Sequence, residues 1–180
     1  MADNSVPLSV VSSCDTQFLW ASIAIGKNVL VQQSPSSGRA YWFVVIERSS
    51  LNVVYNQLQK APNVAPNLGS YNSSDYILIV ATFGLGLDVT PTGDLFQFLD
   101  LNGAGRELRR IEQIAQQFGC GTMGTFGYAL VGVLGNQNLP GFEASNIAGT
   151  TVGPVLTIQL LPVVIPPGKT IYTPVQLSDA

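Results

Sequence analysis

The chain contains no histidine. That absence removes the commonest general base, the commonest metal ligand and the side chain that changes charge near neutral pH. Charge of either sign is scarce as well: 11% of residues are Asp, Glu, Lys or Arg, against roughly 25% in an ordinary soluble domain. With a formal net charge of -3 and no block of like charges, the sequence lacks the basic stripe that phosphate backbones require, so nucleic acid is not an expected partner. Cysteine is limited to Cys14 and Cys120, too few for a disulfide framework and too far apart for a zinc pattern. Two small buried thiols or a single bridge remain the alternatives. Residues Met1 to Leu8 show no basic segment leading into an apolar one, so no signal peptide is expected, and folding in the cytoplasm of the producing cell is. The uncharged stretch between Glu143 and Lys169 is interrupted by Pro154, Pro162, Pro166 and Pro167, which excludes a spanning helix there, and no membrane partner is expected.

What is present is apolar and β-branched. At 180 residues and 46% hydrophobic content, the chain has room for one domain with a sizeable core, plus an extension. Its organising stretch is Asp75-Tyr-Ile-Leu-Ile-Val-Ala-Thr82, an apolar run that does not alternate and so needs cover on both faces. Before it, strands are expected at Pro7 to Ser12 and Ser22 to Gln32, the latter a hairpin turning at Gly26-Lys27-Asn28. A second hairpin joins Ala40-Tyr-Trp-Phe-Val-Val-Ile46 to Leu51-Asn-Val-Val-Tyr55. Gln57 to Ser74 permits at most one short helical turn, and Phe83 to Gly105 reads as a long glycine-punctuated loop packed down by its own Leu and Phe side chains. The clear helix is 106–118, with Leu108, Ile111, Ile114, Ala115 and Phe118 on one face; its Arg106, Arg109 and Arg110 read as a solvated face. A further strand follows at Tyr128 to Leu134. The fold class is therefore α+β: a mostly antiparallel β-sandwich with one main helix packed on it.

Motifs that carry chemistry are few. Gly119-Cys-Gly121-Thr-Met-Gly124 matches the dinucleotide fingerprint by letter, but a helix precedes it and a strand follows, the reverse of what places amides and a helix dipole against pyrophosphate. Without histidine, a nucleophilic Ser or Cys would need a lysine or carboxylate as its base, and none stands in a recognisable arrangement. Asp88, Asp94 and Asp100 share the long loop, where acids are more often turn-forming than paired for glycoside hydrolysis. The expectation is no enzyme, no metal and no cofactor.

In this order, the pieces resemble the interleukin-like EMT inducer (ILEI) family over roughly residues 7–145. The matching features are Ser22-Ile-Ala-Ile-Gly-Lys-Asn-Val-Leu30, Gly38-Arg39 leading into Trp42-Phe-Val-Val-Ile46, the Asp75 to Thr82 run, the helix bearing Leu108 and Ile111, and Tyr128-Ala-Leu-Val-Gly-Val-Leu-Gly135. The resemblance implies a β-sandwich with packed helices, not catalytic by itself, that acts as a ligand or binding module, in one relative for a sugar. Where the family carries a polar run before its last core strand, this chain has Thr125-Phe-Gly-Tyr128.

The tail has no counterpart in that resemblance. Residues 146–180 are expected as an extended, apolar, proline-containing arm attached to a globular domain of residues 1–145. Val155, Leu156, Ile158, Leu160, Leu161, Val163, Val164 and Ile165 would contribute on the order of 12 to 24 kcal/mol if fully buried. Ordering a dozen residues costs about the same, roughly 12 to 24 kcal/mol, so nearly complete cover is required. A neighbouring subunit is the expected source of that cover. The functional expectation is a non-enzymatic structural or adhesive subunit of a larger assembly, self-associating or docking through the arm. A bacteriophage particle, as a capsid or tail accessory protein, is the setting that fits best, with a virion location. The alternative is a carbohydrate-binding module contacting a surface glycan through Tyr41, Trp42, Asp88, Asp94, Asp100 and Tyr128.

Overall fold

The computed structural model describes residues 4–14, 19–33, 38–117, 124–136, 139, 141–147 and 153–176. Two antiparallel sheets pack face to face, and two helices cover the outer side of one of them. The first sheet, sheet A, joins β1 (Val6–Val11), β2 (Trp20–Ile25), β3 (Asn28–Gln33), β10 (Val155–Ile165) and β11 (Lys169–Val175) in the order β11-β10-β1-β2-β3. The second, sheet B, contains β4 (Ala40–Glu47), β5 (Val53–Gln59), β6 (Tyr76–Phe83), the short β7 (Leu85–Gly86), β8 (Thr125–Val133) and β9 (Phe142–Ile147). Its order is β5-β4-β6-β8, with β9 on the far side of β8 and β7 continuing the β6 side after a break at Gly84.

The non-alternating runs acquire their reason here. Along β6, Ile77, Ile79, Ala81 and Phe83 face sheet A, while Leu78 and Val80 face the helices. In β4 the same division sets Trp42, Val44 and Ile46 against Tyr41, Phe43 and Val45. A strand covered on both sides has no face to spare for polar residues, so period two disappears from the sequence. The close fit also restricts side-chain size: a Cβ on Gly132 of β8 would strike the backbone carbonyl of Asn102.

The helices are α1 (Gly93–Leu101) and α2 (Arg106–Gln117). The second matches the expected helix, with Leu108, Ile111 and Ala115 buried; position 118 lies outside the described residues. The first was hidden within the stretch read as loop. Gly93 and Gly103 punctuate its ends rather than its middle, and Leu95 and Leu99, one turn apart, are its buried face. Two further expectations change. Strand β5 begins at Val53, because the chain must first pass through Leu51 in a left-handed conformation (φ 60) whose N–H bonds back to the Glu47 carbonyl at 2.8 Å. Strand β9 was not anticipated at all.

The largest correction concerns the tail. Strand β10 runs antiparallel to β1 from Val6↔Leu160 to Val11↔Val155, so it completes the sandwich instead of leaving it. The boundary expected after residue 145 falls inside β9. Leu156, Ile158 and Leu160 are buried between the sheets. Beyond Leu160 the strand pairs with β11 alone, and this hairpin is clamped by Arg48, in the turn after β4, while Tyr172 packs against the core. Arg48, buried at 7% exposure, donates from Nε to the Tyr172 carbonyl, from Nη1 to the Ser74 carbonyl and from Nη2 to the Thr173 hydroxyl, each at 2.8 Å. Its own carbonyl accepts from the Tyr172 N–H at 2.8 Å. Apolar area alone underestimated the anchorage, because a ladder to β1 and a charged hydrogen-bonding clamp supply the remainder.

Candidate functional site

Antiparallel partners point to the same face of a sheet, so the core positions of sheet A identify the outward ones. Leu8, Val10, Ile23, Ile25, Leu156, Ile158 and Leu160 line the core between the sheets. Their neighbours Ser9, Val11, Ser22, Ala24, Val155, Thr157, Val29 and Val31 therefore share the opposite face. No described element is layered on that face in the way the helices cover sheet B. Its valines are open to solvent: Val29 at 58%, Val31 at 48%, Val155 at 57% and Val163 at 42% exposure. Lys169 is the only charged residue in the five strands. Wide, neutral and studded with β-branched side chains, this face is the principal candidate for a functional surface.

The arm residues divide between the two sides of β10. Leu156, Ile158 and Leu160 belong to the core, Leu161 and Ile165 are half-buried, and Val155, Val163 and Val164 are exposed. Val164 has the inward parity of Leu160 but is 67% exposed, because the hairpin projects past the edge of the sandwich there.

The sugar-contact candidates fare differently. Tyr41, Trp42 and Tyr128 are fully buried and cannot stack on a ligand. Each spends its polar atom internally: the Tyr41 hydroxyl donates to the Val89 carbonyl, Trp42 Nε1 to Asn56 Oδ1 at 2.7 Å, and the Tyr128 hydroxyl to Glu143 Oε1 at 2.6 Å. Burial pushes both phenols up from their ordinary pKa, and the Glu143 carboxylate adds to this at Tyr128. The three aspartates are not one cluster. Asp100 is paired with Arg109 at 2.7 Å, Asp94 lies exposed in the first turn of α1, and Asp88 borders a cavity of about 320 Å³ with Pro62, Thr90, Thr92 and Glu112. Two of the three clustered arginines are engaged as well, Arg109 also resting 5.8 Å from the Phe96 ring and Arg110 pairing with Glu107 at 3.4 Å, while Arg106 lies exposed.

Glu143 is a residue that sequence reasoning missed. From β9 its two oxygens accept from the backbone N–H groups of Glu107 (3.2 Å) and Leu108 (3.3 Å), capping α2 from outside the helix. A signal was present, since Glu143 is the sole charged residue between Glu112 and Lys169. Of the glycine motif only Gly124 is described, and a Cys14 to Cys120 bridge falls outside the described residues because Cys120 does. Among the described residues no helix is long and apolar enough to cross a membrane, and no three His, Cys, Asp or Glu side chains gather as metal ligands.

Comparison with known proteins adds no relative: no family model matches the chain, and no curated protein does.

Proposed function

We propose that the protein is a non-enzymatic structural or adhesive subunit of a larger assembly, docking through the outer face of sheet A rather than through a free arm. The uncharged, valine-studded face carries this reading. A surface that is both apolar and neutral gains by being covered and repels no neighbour of its own kind. The weak overall charge and the Asn, Gln, Ser and Thr content suit a bacteriophage particle as the setting, and the ILEI-like order of elements supports a module without chemistry of its own. Sedimentation velocity over a wide concentration range tests it. The protein is expected to associate, and Val155→Lys with Val163→Lys is expected to weaken the part of that association that runs through this face, without lowering the melting temperature. A chain that stays monomeric at every concentration would sink the reading.

A second reading, glycan recognition, keeps one supporting observation: the cavity beside Asp88, where Asp88, Thr90, Thr92 and Glu112 stand among the apolar Pro62, Leu87 and Ala115 and can bond hydroxyl groups. A glycan array probed with the protein and with Asp88→Asn tests it, and a blank array removes it.

A further inference from the structure

We propose that two copies of this chain pair antiparallel along β3, fusing their A sheets into one sheet of twice the width. The proposal rests on the assembly reading above and names both the partner and the contact.

The edges of the two sheets are treated unequally. At β11 the Tyr172 N–H is already taken by the Arg48 carbonyl, Pro174 has no N–H to offer, and Lys169 places a charge at the strand start. In sheet B, β9 is held beneath the N-terminus of α2 through Glu143 and Ser145. The ladder of β5 is interrupted by a register shift between Val45 and Ile46 of its partner. Strand β3 has none of these devices. Its sequence Asn28-Val-Leu-Val-Gln-Gln33 contains no charge and no proline, and β2 is its only partner among the described residues. Such an edge is a template for another strand.

Geometry then selects the register. Gly26 and Lys27 form a two-residue turn, so Ile25 and Asn28 are the closing hydrogen-bonded pair of the hairpin. Because that pattern alternates, Asn28, Leu30 and Gln32 direct their backbone groups to β2, while Val29, Val31 and Gln33 direct theirs outward. Setting Val29 of one copy opposite Val31 of the other satisfies these outward groups in both copies. It also places Leu30 on the two-fold axis. The arrangement is isologous, as closed dimers require, and it merges the exposed valines of the two copies into one continuous face. A neutral strand suits this partner, since a second copy brings no like charge into register.

Equilibrium sedimentation of the full chain and three variants tests the pairing. Val31→Pro removes an outward N–H and blocks the edge without touching the ladder to β2, and it is expected to abolish the dimer. Val29→Lys with Val31→Lys sets ammonium against ammonium twice across the axis, raising the dimer dissociation constant about tenfold or more. Val29→Lys with Val31→Asp sets each ammonium against a carboxylate and is expected to recover most of that loss. Should Val31→Pro disturb folding, judged by its melting curve, the two charge variants decide. A wild-type protein that is monomeric throughout overturns both this pairing and the assembly reading. Association that is indifferent to all three variants overturns the edge pairing alone and leaves face-to-face docking through Val155 and Val163 standing.

Discussion

In sheet B, strands β4, β6 and β8 bury side chains on both faces, whereas in sheet A strands of similar composition bury only one. Both sheets are built from Val, Ile, Leu and Ala, yet their apolar residues do different work. In sheet B each extra valine or isoleucine is taken up by a second core, against α1 and α2. In sheet A the outward valines meet no described layer. A soluble surface is ordinarily finished with charge, and the sheet beside the helices receives it, since α2 carries Arg106, Arg109 and Arg110 at exposed positions. The strands of sheet A carry only Lys169, and its ammonium lies 3.5 Å from the Asp75 carboxylate at the start of β6. Of the eight exposed large hydrophobics among the described residues, Val29, Val31, Val155 and Val163 share this face, while Val64, Leu101, Leu139 and Val164 lie elsewhere, so the face holds half of the apolar exposure.

The contrast can be broken most severely from the doubly covered side. Trp42 is fully buried in the layer between the sheets, and Trp42→Ala is expected to cost about 3 to 5 kcal/mol, measured by denaturant unfolding. A smaller loss would mean that the two-sided packing is looser than its burial implies. Next in size is Arg48→Met, which keeps much of the length but leaves three acceptors without their donor. A loss of about 3 kcal/mol is expected. Hydrogen exchange should show Lys169–Val175 deprotected well before β6. Equal deprotection of both would show that the hairpin is not a separately clamped unit. Glu143→Gln follows, at about 1 to 2 kcal/mol: the amide oxygen keeps one acceptor for the α2 N-terminus but loses the charge that favours it. Its readout is exchange at the first turn of α2, which should accelerate more than at α1.

Much of this architecture was legible in the sequence, and the parts that were not share a cause. Asp75 to Thr82 announced a strand covered twice, and Leu108, Ile111 and Ala115 announced a helix, because in both the local pattern and the tertiary environment agree. Helix α1 escaped because Gly93 and Gly103 bracket only nine residues, too few for a helical period to show against a glycine-rich background. The tail escaped for a different reason. Its alternation from Val155 to Leu160 is that of a half-buried strand, but Pro162 and the Pro166-Pro167 pair at the turn suggested a broken arm, and nothing local revealed that β1, far earlier in the chain, was waiting for it. Arg48 and Glu143 are long-range devices of the same kind. The aromatic candidates failed because a ring in a β-branched run reads alike whether it faces core or ligand, and burial decided for the core.

The smallest effect is the most discriminating, because it compares the two sides of one strand. Val155 and Ile158 both lie on β10 opposite β1, but Val155 is 57% exposed and Ile158 is 2% exposed. Threonine keeps the β-branched shape and the strand preference of valine while replacing a methyl with a hydroxyl. At Ile158 that exchange removes apolar volume and buries a polar group, so Ile158→Thr should cost on the order of 2 kcal/mol or more. At Val155 and Val163 the hydroxyl meets water, and each change should alter the unfolding free energy by no more than about 0.5 kcal/mol. If instead Val155→Thr lowers stability at low protein concentration as much as Ile158→Thr does, then the outer face of sheet A is already covered within a single chain. The same pair measured at high concentration separates the two uses of apolar surface: a loss at Val155 that grows with concentration reports on association, whereas one that does not belongs to the fold.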